Sequence, residues 1–228
     1  MTTLFLADDH QIVRQGLRAL LATVPDFTLV GEAGDGPATL RQVTHLQPNV
    51  LVMDLMMPGM NGLEVARKLK TAAPETRIVI LSMHSDAAYV VEALRAGATA
   101  YVVKEAGANT LLRAIRQAAL GKRYFSPPLS EEKVADYLRR AAGTEADPFI
   151  TLTRRQREVL QLTVAGLTAP EIALRLKIGL RTVESHLGGL LRKLGVRNSK
   201  QMISYVLQRQ GVAGTAELGS RGDVRGER

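Results

Sequence analysis

The feature that most constrains this chain is an alternation running through its first 120 residues. Short apolar runs, Leu4-Phe5-Leu6-Ala7, Thr28-Leu29-Val30, Val50-Leu51-Val52-Met53, Ile78-Val79-Ile80-Leu81 and Ala100-Tyr101-Val102-Val103, are separated by stretches with helical spacing. The runs are near-continuous rather than alternating, which is how strands buried on both faces read. The stretches between them are amphipathic. Ile12, Leu17, Leu20 and Leu21 share one face, with Arg14 and Arg18 on the other. Leu63, Val65, Ala66 and Leu69 repeat the pattern, as do Leu111, Leu112, Ile115 and Ala119. Gly31, Gly97 and Gly121 are expected where elements end. Five strands alternating with five helices predict an α/β fold, a doubly wound parallel sheet over residues 1–121.

A sheet of that kind builds its site beyond the C-terminal ends of its strands. Those ends carry Asp8 and Asp9, then Asp54, then Ser82, then Lys104. Three carboxylates near one point repel unless a cation neutralises them. Hard oxygen ligands with open positions suit Mg²⁺, which binds together with phosphate. Lys104 is placed to pair with a phosphoryl oxygen, and Ser82 to donate a hydrogen bond to another. A carboxylate can itself be the nucleophile, forming an aspartyl phosphate. Of the nearby histidines, His10 is expected to cap the first helix and His84 to shape the surface after the fourth strand.

Beyond residue 121 the pattern changes. Pro127, Pro128, Gly143 and Pro148 punctuate a polar stretch, 122–148, that reads as a linker with one helix from Glu131 to Arg140. From Thr153 the spacing is purely helical, with all-α segments near 153–165, 169–176, 180–194 and 199–210 broken at Gly166, Gly179, Gly195 and Asn198. Thr153 is a cap candidate for the first, and Thr168 with Glu171 a capping box for the second. A short helix, a turn with Gly179 and a second helix form a helix-turn-helix, whose second helix enters the major groove. Residues 149–211 are its domain, and 212–228, rich in glycine and mixed charge, are expected to be disordered.

Charge locates the partner. Residues 149–212 hold 11 basic and 3 acidic side chains, which equals the whole net charge of +8. A compact basic segment is the footprint of a protein that binds a phosphate backbone, and otherwise a solubilising surface. The chain has no cysteine, which excludes disulfides and thiol chemistry and fits a reducing cytoplasm. No apolar stretch is long enough for a membrane helix, and the N-terminus lacks the pattern of a signal peptide.

The segments Ala7-Asp8-Asp9-His10, Met53-Asp54-Leu55-Met56-Met57-Pro58-Gly59-Met60-Asn61-Gly62 and Val103-Lys104-Glu105 closely resemble bacterial response-regulator receiver domains, over residues 3–121. Leu152-Thr153, Arg157-Glu158-Val159-Leu160, Glu171-Ile172-Ala173, Thr182-Val183, His186 and Arg192-Lys193-Leu194-Gly195-Val196 resemble the LuxR-type helix-turn-helix. Together they point to the NarL/FixJ class of response regulators.

The resemblance implies that Asp54 takes a phosphoryl group from a sensor histidine kinase. It implies Mg²⁺ held by Asp9, Asp54 and the backbone carbonyl of Met56, with Asp8 acting through water. Ser82 and Lys104 would contact the phosphoryl group. Tyr101 matches the aromatic that turns inward when Ser82 is drawn to the phosphate; its alternative is packing on an edge strand. Glu105 replaces the proline that many receivers carry after the lysine. The resemblance further implies a homodimer on phosphorylation, bound to double-stranded DNA, with Arg181, Thr182, Ser185, Arg192, Lys193, Arg197 and Asn198 as contacts and His186 in packing or at a phosphate.

Two departures from the family stand on the recognition helix. Glu184 replaces a lysine and either accepts from cytosine N4 or faces solvent. Gly188-Gly189 either lets DNA approach closely or weakens binding. Among rival readings, a Mg²⁺-dependent phosphohydrolase explains the carboxylates but not the basic helical domain. A regulator independent of phosphorylation leaves the Asp9, Asp54, Ser82 and Lys104 set without a purpose. The chain is therefore expected to catalyse only its own phosphoryl transfer and dephosphorylation.

Overall fold

The structure is a computed structural model that describes residues 1–140 and 147–207. The chain divides into two compact units, Met1–Arg154 and Arg155–Arg228. The expected disordered tail, 212–228, lies outside the described residues.

The first unit alternates strand and helix: β1 (Thr2–Ala7), α1 (Gln11–Ala22), β2 (Phe27–Ala33), α2 (Gly36–Leu46), β3 (Val50–Asp54), α3 (Gly62–Ala72), β4 (Arg77–Ser82), α4 (Ala87–Ala96), β5 (Ala100–Val103), α5 (Ala108–Ala119), β6 (Tyr124–Phe125) and α6 (Glu131–Arg140). The strands are all parallel, in the order β2-β1-β3-β4-β5-β6. Their two-residue period feeds two cores. Phe5, Leu51, Met53, Ile78, Ile80 and Tyr101 point to one face, against α2, α3 and α4. Leu4, Leu6, Val50, Val52, Val79, Leu81 and Val102 point to the other, against α1 and α5. Both faces are covered, so the strands read as unbroken apolar runs.

Three details depart from the sequence reading. Gly31 does not end β2 but lies within it, opposite Phe5 where the β1–β2 register shifts. A Cβ there would stand 2.6 Å from the Phe5 ring, so the large side chain is accommodated by the missing one. Ile12 is not on the buried face of α1 and is 84 % exposed. The third departure is a sixth strand. Tyr124 and Phe125 pair with Ala100 and Tyr101, and the buried Ser126 extends the join by accepting from Val103 N–H at 2.8 Å. The stretch read as a linker therefore covers the edge that β5 would otherwise present. Its Leu129 and Val134 are buried in the same core as α4, together with Ile150 just beyond it, and α6 sits against α4.

The second unit is helical: α7 (Arg154–Val164), which starts on the last residue of the first unit, then α8 (Ala169–Leu176), α9 (Leu180–Leu194) and a helix over residues 199–207. The sequence expectation for the last, 199–210, runs past the described residues. Val159, Leu160, Ile172, Val183, Leu190, Leu194 and Met202 form its buried centre, at the three- and four-residue spacings of amphipathic helices. Glu171 anchors the start of α8 by accepting from both the N–H and the hydroxyl of Thr168, each at 2.7 Å. The left-handed residue between α8 and α9 is Lys177 (φ 53°); Gly179 caps α9 in an extended conformation. Among the described residues no helix is long and apolar enough to cross a membrane.

Candidate phosphoryl-transfer site and nucleic-acid interface

The strand ends bring together the residues that the sequence singled out. Asp54 closes β3, 5 % exposed, and Asp8 follows β1, 1 % exposed. Lys104, just past β5, reaches both: Nζ lies 2.8 Å from Asp8 Oδ2 and 2.9 Å from Asp54 Oδ2. Asp54 Oδ1 accepts from Met56 N–H at 3.1 Å, and Asp8 Oδ1 from His10 N–H at 2.8 Å. Burial holds the Asp54 carboxyl above its ordinary range, more strongly than Lys104 pulls it down. Burial alone would lower the Lys104 ammonium, but Asp54 and Asp8 outweigh it and keep it above its usual value. The half-buried lysine is thus a fixed cation between two carboxylates.

Asp9 completes the acidic set. Its Oδ1 is buried and accepts no hydrogen bond, and a ligand atom from each of Asp8, Asp9, His10 and Asp54 lies within 4.8 Å of the others. An orphaned carboxylate oxygen among hard donors fits a divalent cation. His10 stands at the N-cap position of α1 but makes no capping bond, contrary to expectation. Its Nδ1 faces inward instead, 2.9 Å from Asp9 Oδ1 and 3.2 Å from Asp8 Oδ1.

Ser82 is buried at the end of β4 and its Oγ accepts from His84 N–H at 3.1 Å. Tyr101 is fully buried and donates from its hydroxyl to the His84 carbonyl at 2.8 Å. Since β6 covers β5, Tyr101 is not on an edge; burial pushes its phenol far above the usual range. The His84 ring stacks on Tyr89, with centroids 4.2 Å apart. One chain of contacts therefore runs from Ser82 through His84 to Tyr101 and the start of α4.

Two residues of the site were not singled out from the sequence. Arg14, expected on the solvent face of α1, turns inward and donates to the Asp8 carbonyl at 2.5 Å, with Glu32 4.0 Å from its Nε. Its signal was its place one turn after His10. Asn61 caps α3 reciprocally: its Oδ1 accepts from Glu64 N–H at 2.8 Å, and Glu64 accepts from Asn61 N–H at 3.2 Å. An Asn three residues before a Glu carries that signal in the sequence. A cavity of about 550 Å³ lies beside Lys104 between α1 and α5; Leu17, Leu20 and Leu111 line it, and it offers no polar set for a phosphoester.

In the second unit, α9 buries Val183, Leu190 and Leu194 and exposes Arg181, Thr182, Glu184 and Ser185 at its N-terminal end. That is the part of a recognition helix that meets base edges. Arg192 and Arg197 are exposed and Lys193 is half-buried. Asn198 is exposed, but its Oδ1 is engaged in accepting from Gln201 N–H at 2.9 Å. His186 is half-buried, and burial together with Arg155 lowers its pKa. The two glycines of α9 have different roles. A Cβ on Gly189 would stand 2.8 Å from Gln156 Nε2, so Gly189 faces α7 inside the unit. A Cβ on Gly188 would meet only the tip of Arg192, at 4.0 Å. Gly188→Ala is therefore expected to stabilise the second unit by up to about 1 kcal/mol, the helix-propensity difference. Urea unfolding followed by circular dichroism checks this, and a destabilised variant contradicts it.

Residues 4–116 match the response regulator receiver domain, and residues 150–206 match the luxR family of bacterial regulatory proteins. The chain is similar to the oxygen regulatory protein NreC of Staphylococcus carnosus (strain TM300), 34% identical over 209 residues, covering 90% of this chain and 96% of that one. It is similar to the transcriptional regulatory protein DegU of Brevibacillus brevis, 33% identical over 211 residues, covering 87% and 89%. Among solved structures, a LuxR-family two-component response regulator from Aurantimonas sp. SI85-9A1 superposes with a TM-score of 0.57 at 34% identity, over 60% of this chain and 97% of that one. The two-component response regulator RcsB in complex with DNA gives 0.53 at 27% identity, over 90% and 97%.

Proposed function

Because the chain belongs to the NarL/FixJ family of two-component response regulators, with a receiver and a LuxR-type DNA-binding domain, we propose that Asp54 is its phosphoacceptor. A sensor histidine kinase is the donor, and phosphorylation controls dimerisation and sequence-specific DNA binding. The observation that carries this reading is Lys104 held between buried Asp8 and Asp54 at 2.8 and 2.9 Å, beside a carboxylate oxygen of Asp9 that accepts no hydrogen bond.

An Asp54 oxygen forms the new bond to phosphorus as the donor's bond breaks, and the leaving group departs with that electron pair. Lys104 and Ser82 receive the phosphoryl oxygens, one by charge and one by hydrogen bond. Asp9, Asp54 and the Met56 carbonyl would hold Mg²⁺, with Asp8 helping through water. The ion would supply charge neutralisation between acceptor and incoming phosphoryl group. When Ser82 turns to the phosphate it gives up His84, which bears on both Tyr101 and α4, so this chain of contacts is the read-out. Apart from that transfer and its reversal by water, no catalytic activity is assigned. As a DNA-binding regulator the protein is assigned to the cytoplasm.

On DNA, Arg181, Thr182 and Ser185 face the bases, with Arg192, Lys193, Arg197 and the amide of Asn198 at the phosphates. Glu184, exposed beside them, has the acceptor that cytosine N4 requires, and otherwise it faces solvent. Acetyl phosphate with Mg²⁺ is expected to place one acyl phosphate on the chain, mapped to Asp54 by mass spectrometry and prevented by EDTA; a label elsewhere overturns the assignment. Three cations per protomer on phosphates predict that log K for DNA falls with log salt at a slope of about −5 for a dimer. A flat dependence in a gel-shift series overturns the backbone contacts.

A further inference from the structure

The acidic pocket has a second cation at its rim. Arg154 is the last residue of the first compact unit. Its Nη1 lies 3.5 Å from Asp9 Oδ2 and 2.6 Å from His10 Nε2. A guanidinium only donates, so His10 Nε2 is the acceptor and the ring proton is assigned to Nδ1. That nitrogen is the one facing Asp9 Oδ1 and Asp8 Oδ1 at 2.9 and 3.2 Å. Its hydrogen bond goes to Asp8 Oδ1, so the imidazole ties Arg154 to the rim of the acidic pocket. The division of labour is complete: Lys104 answers Asp8 and Asp54, and Arg154 answers the carboxylate that Lys104 leaves over.

The strap that delivers Arg154 is built for the purpose. Asp147 accepts from Phe149 N–H at 3.0 Å, and the Thr151 hydroxyl donates to the Pro148 carbonyl at 2.7 Å, which closes a tight turn. Ile150 is buried in the receiver core. Asn61, from the loop that follows Asp54, donates its side-chain N–H to the Thr151 carbonyl.

We propose that Arg154 is a tethered counter-cation for the metal pocket: it neutralises Asp9 while no divalent ion is bound, and a bound ion displaces it and loosens residues 147–154. The inference rests on the metal reading above. Arg154 holds Asp9 Oδ2 and a divalent ion would take the orphaned Oδ1, so two like charges would share one carboxylate and the ion would repel the guanidinium. The Arg154 side chain is half-exposed, so its grip is of the weak surface kind. A pair worth up to about 1 kcal/mol changes affinity up to about fivefold. Coupling is reciprocal, so whatever the strap subtracts from metal affinity the metal subtracts from the strap. Arg154 is also the first residue of α7, so the loosened strap is the segment through which the receiver is joined to the DNA-binding domain.

The test uses the full chain and Mg²⁺ alone. Calorimetric titration is expected to show about two- to fivefold tighter Mg²⁺ binding in Arg154→Ala than in wild type, with Arg154→Lys returning most of the difference. In the wild type, Mg²⁺ should speed hydrogen exchange at the amides of Ile150 and Leu152 by a similar factor, and EDTA should reverse it. Equal affinities in wild type and Arg154→Ala overturn the proposal, as does exchange that ignores Mg²⁺. If neither chain binds Mg²⁺, the metal reading itself falls and takes this inference with it.

Discussion

Asp54→Asn will take no label from acetyl phosphate, in a chain at least as stable as the wild type. The loss is that of a nucleophile, so the rate of acyl-phosphate formation should fall by more than about a thousandfold. The gain follows from the pocket's electrostatics. Asparagine keeps the shape and the acceptor for Met56 N–H but removes one of the converging charges. Lys104 is not stranded, because Asp8 still stands 2.8 Å away. A carboxyl whose folded value is raised costs stability as pH rises from its unfolded value upward, so the charged form is a burden at pH 7. Removing it should add on the order of 1 kcal/mol when measured by thermal melting in EDTA. The label and the melt must move in opposite directions. A melt several degrees lower would mean that Lys104 depends on Asp54 rather than relieving it.

This opposition explains why the site was legible from sequence. Its residues are chosen against stability, and they fall where strand runs end, so near-continuous apolar runs of strand length and a topological rule located Asp8, Asp9, Asp54, Ser82 and Lys104 together. Helices of the second unit were legible for a similar local reason: three- and four-residue spacing, and a Thr168–Glu171 start that needs only neighbours. What escaped was non-local. Tyr124 and Phe125 form a strand too short to have a period, and it exists because β5 needs a partner. Glu92 is buried in α4 because Arg67 of α3 and Arg95 lie 3.4 and 2.8 Å away, and spacing within α4 does not announce the first of them. Arg14 and His10 were read as surface and cap because a short amphipathic helix says nothing about which charges turn back toward a sheet edge. Glu184 remains a matter of chemistry: its exposure leaves it open to a base edge or to solvent, and spacing within α9 does not choose between them.

Gly62→Ala is the substitution expected to cost the receiver most for the fewest atoms. Gly62 opens α3 directly after Asn61, and its N–H donates back to the Leu55 carbonyl at 2.9 Å. A Cβ there would stand 2.6 Å from the Asp54 carbonyl oxygen and 3.1 Å from the Leu55 Cα. Both are backbone atoms of the segment that carries the proposed phosphoacceptor, so no side chain can swing aside. The backbone is not in the left-handed region, so the objection to alanine is one of space. Alanine would otherwise favour the helix by about 1 kcal/mol. Overpacking a tight backbone contact costs about 1–3 kcal/mol or more, and here the shift also falls on the capping pair of Asn61 and Glu64, worth about another 1 kcal/mol. The net expectation is a loss of about 2–3 kcal/mol in urea unfolding of the receiver. Any α3 that moves off by the required fraction of an ångström takes Asn61 with it, and Asn61 holds the Thr151 carbonyl of the strap. The variant should therefore show both slower acetyl-phosphate labelling and faster exchange at residues 147–152. Labelling and stability equal to wild type would show that the β3–α3 turn yields more readily than its close backbone contacts indicate.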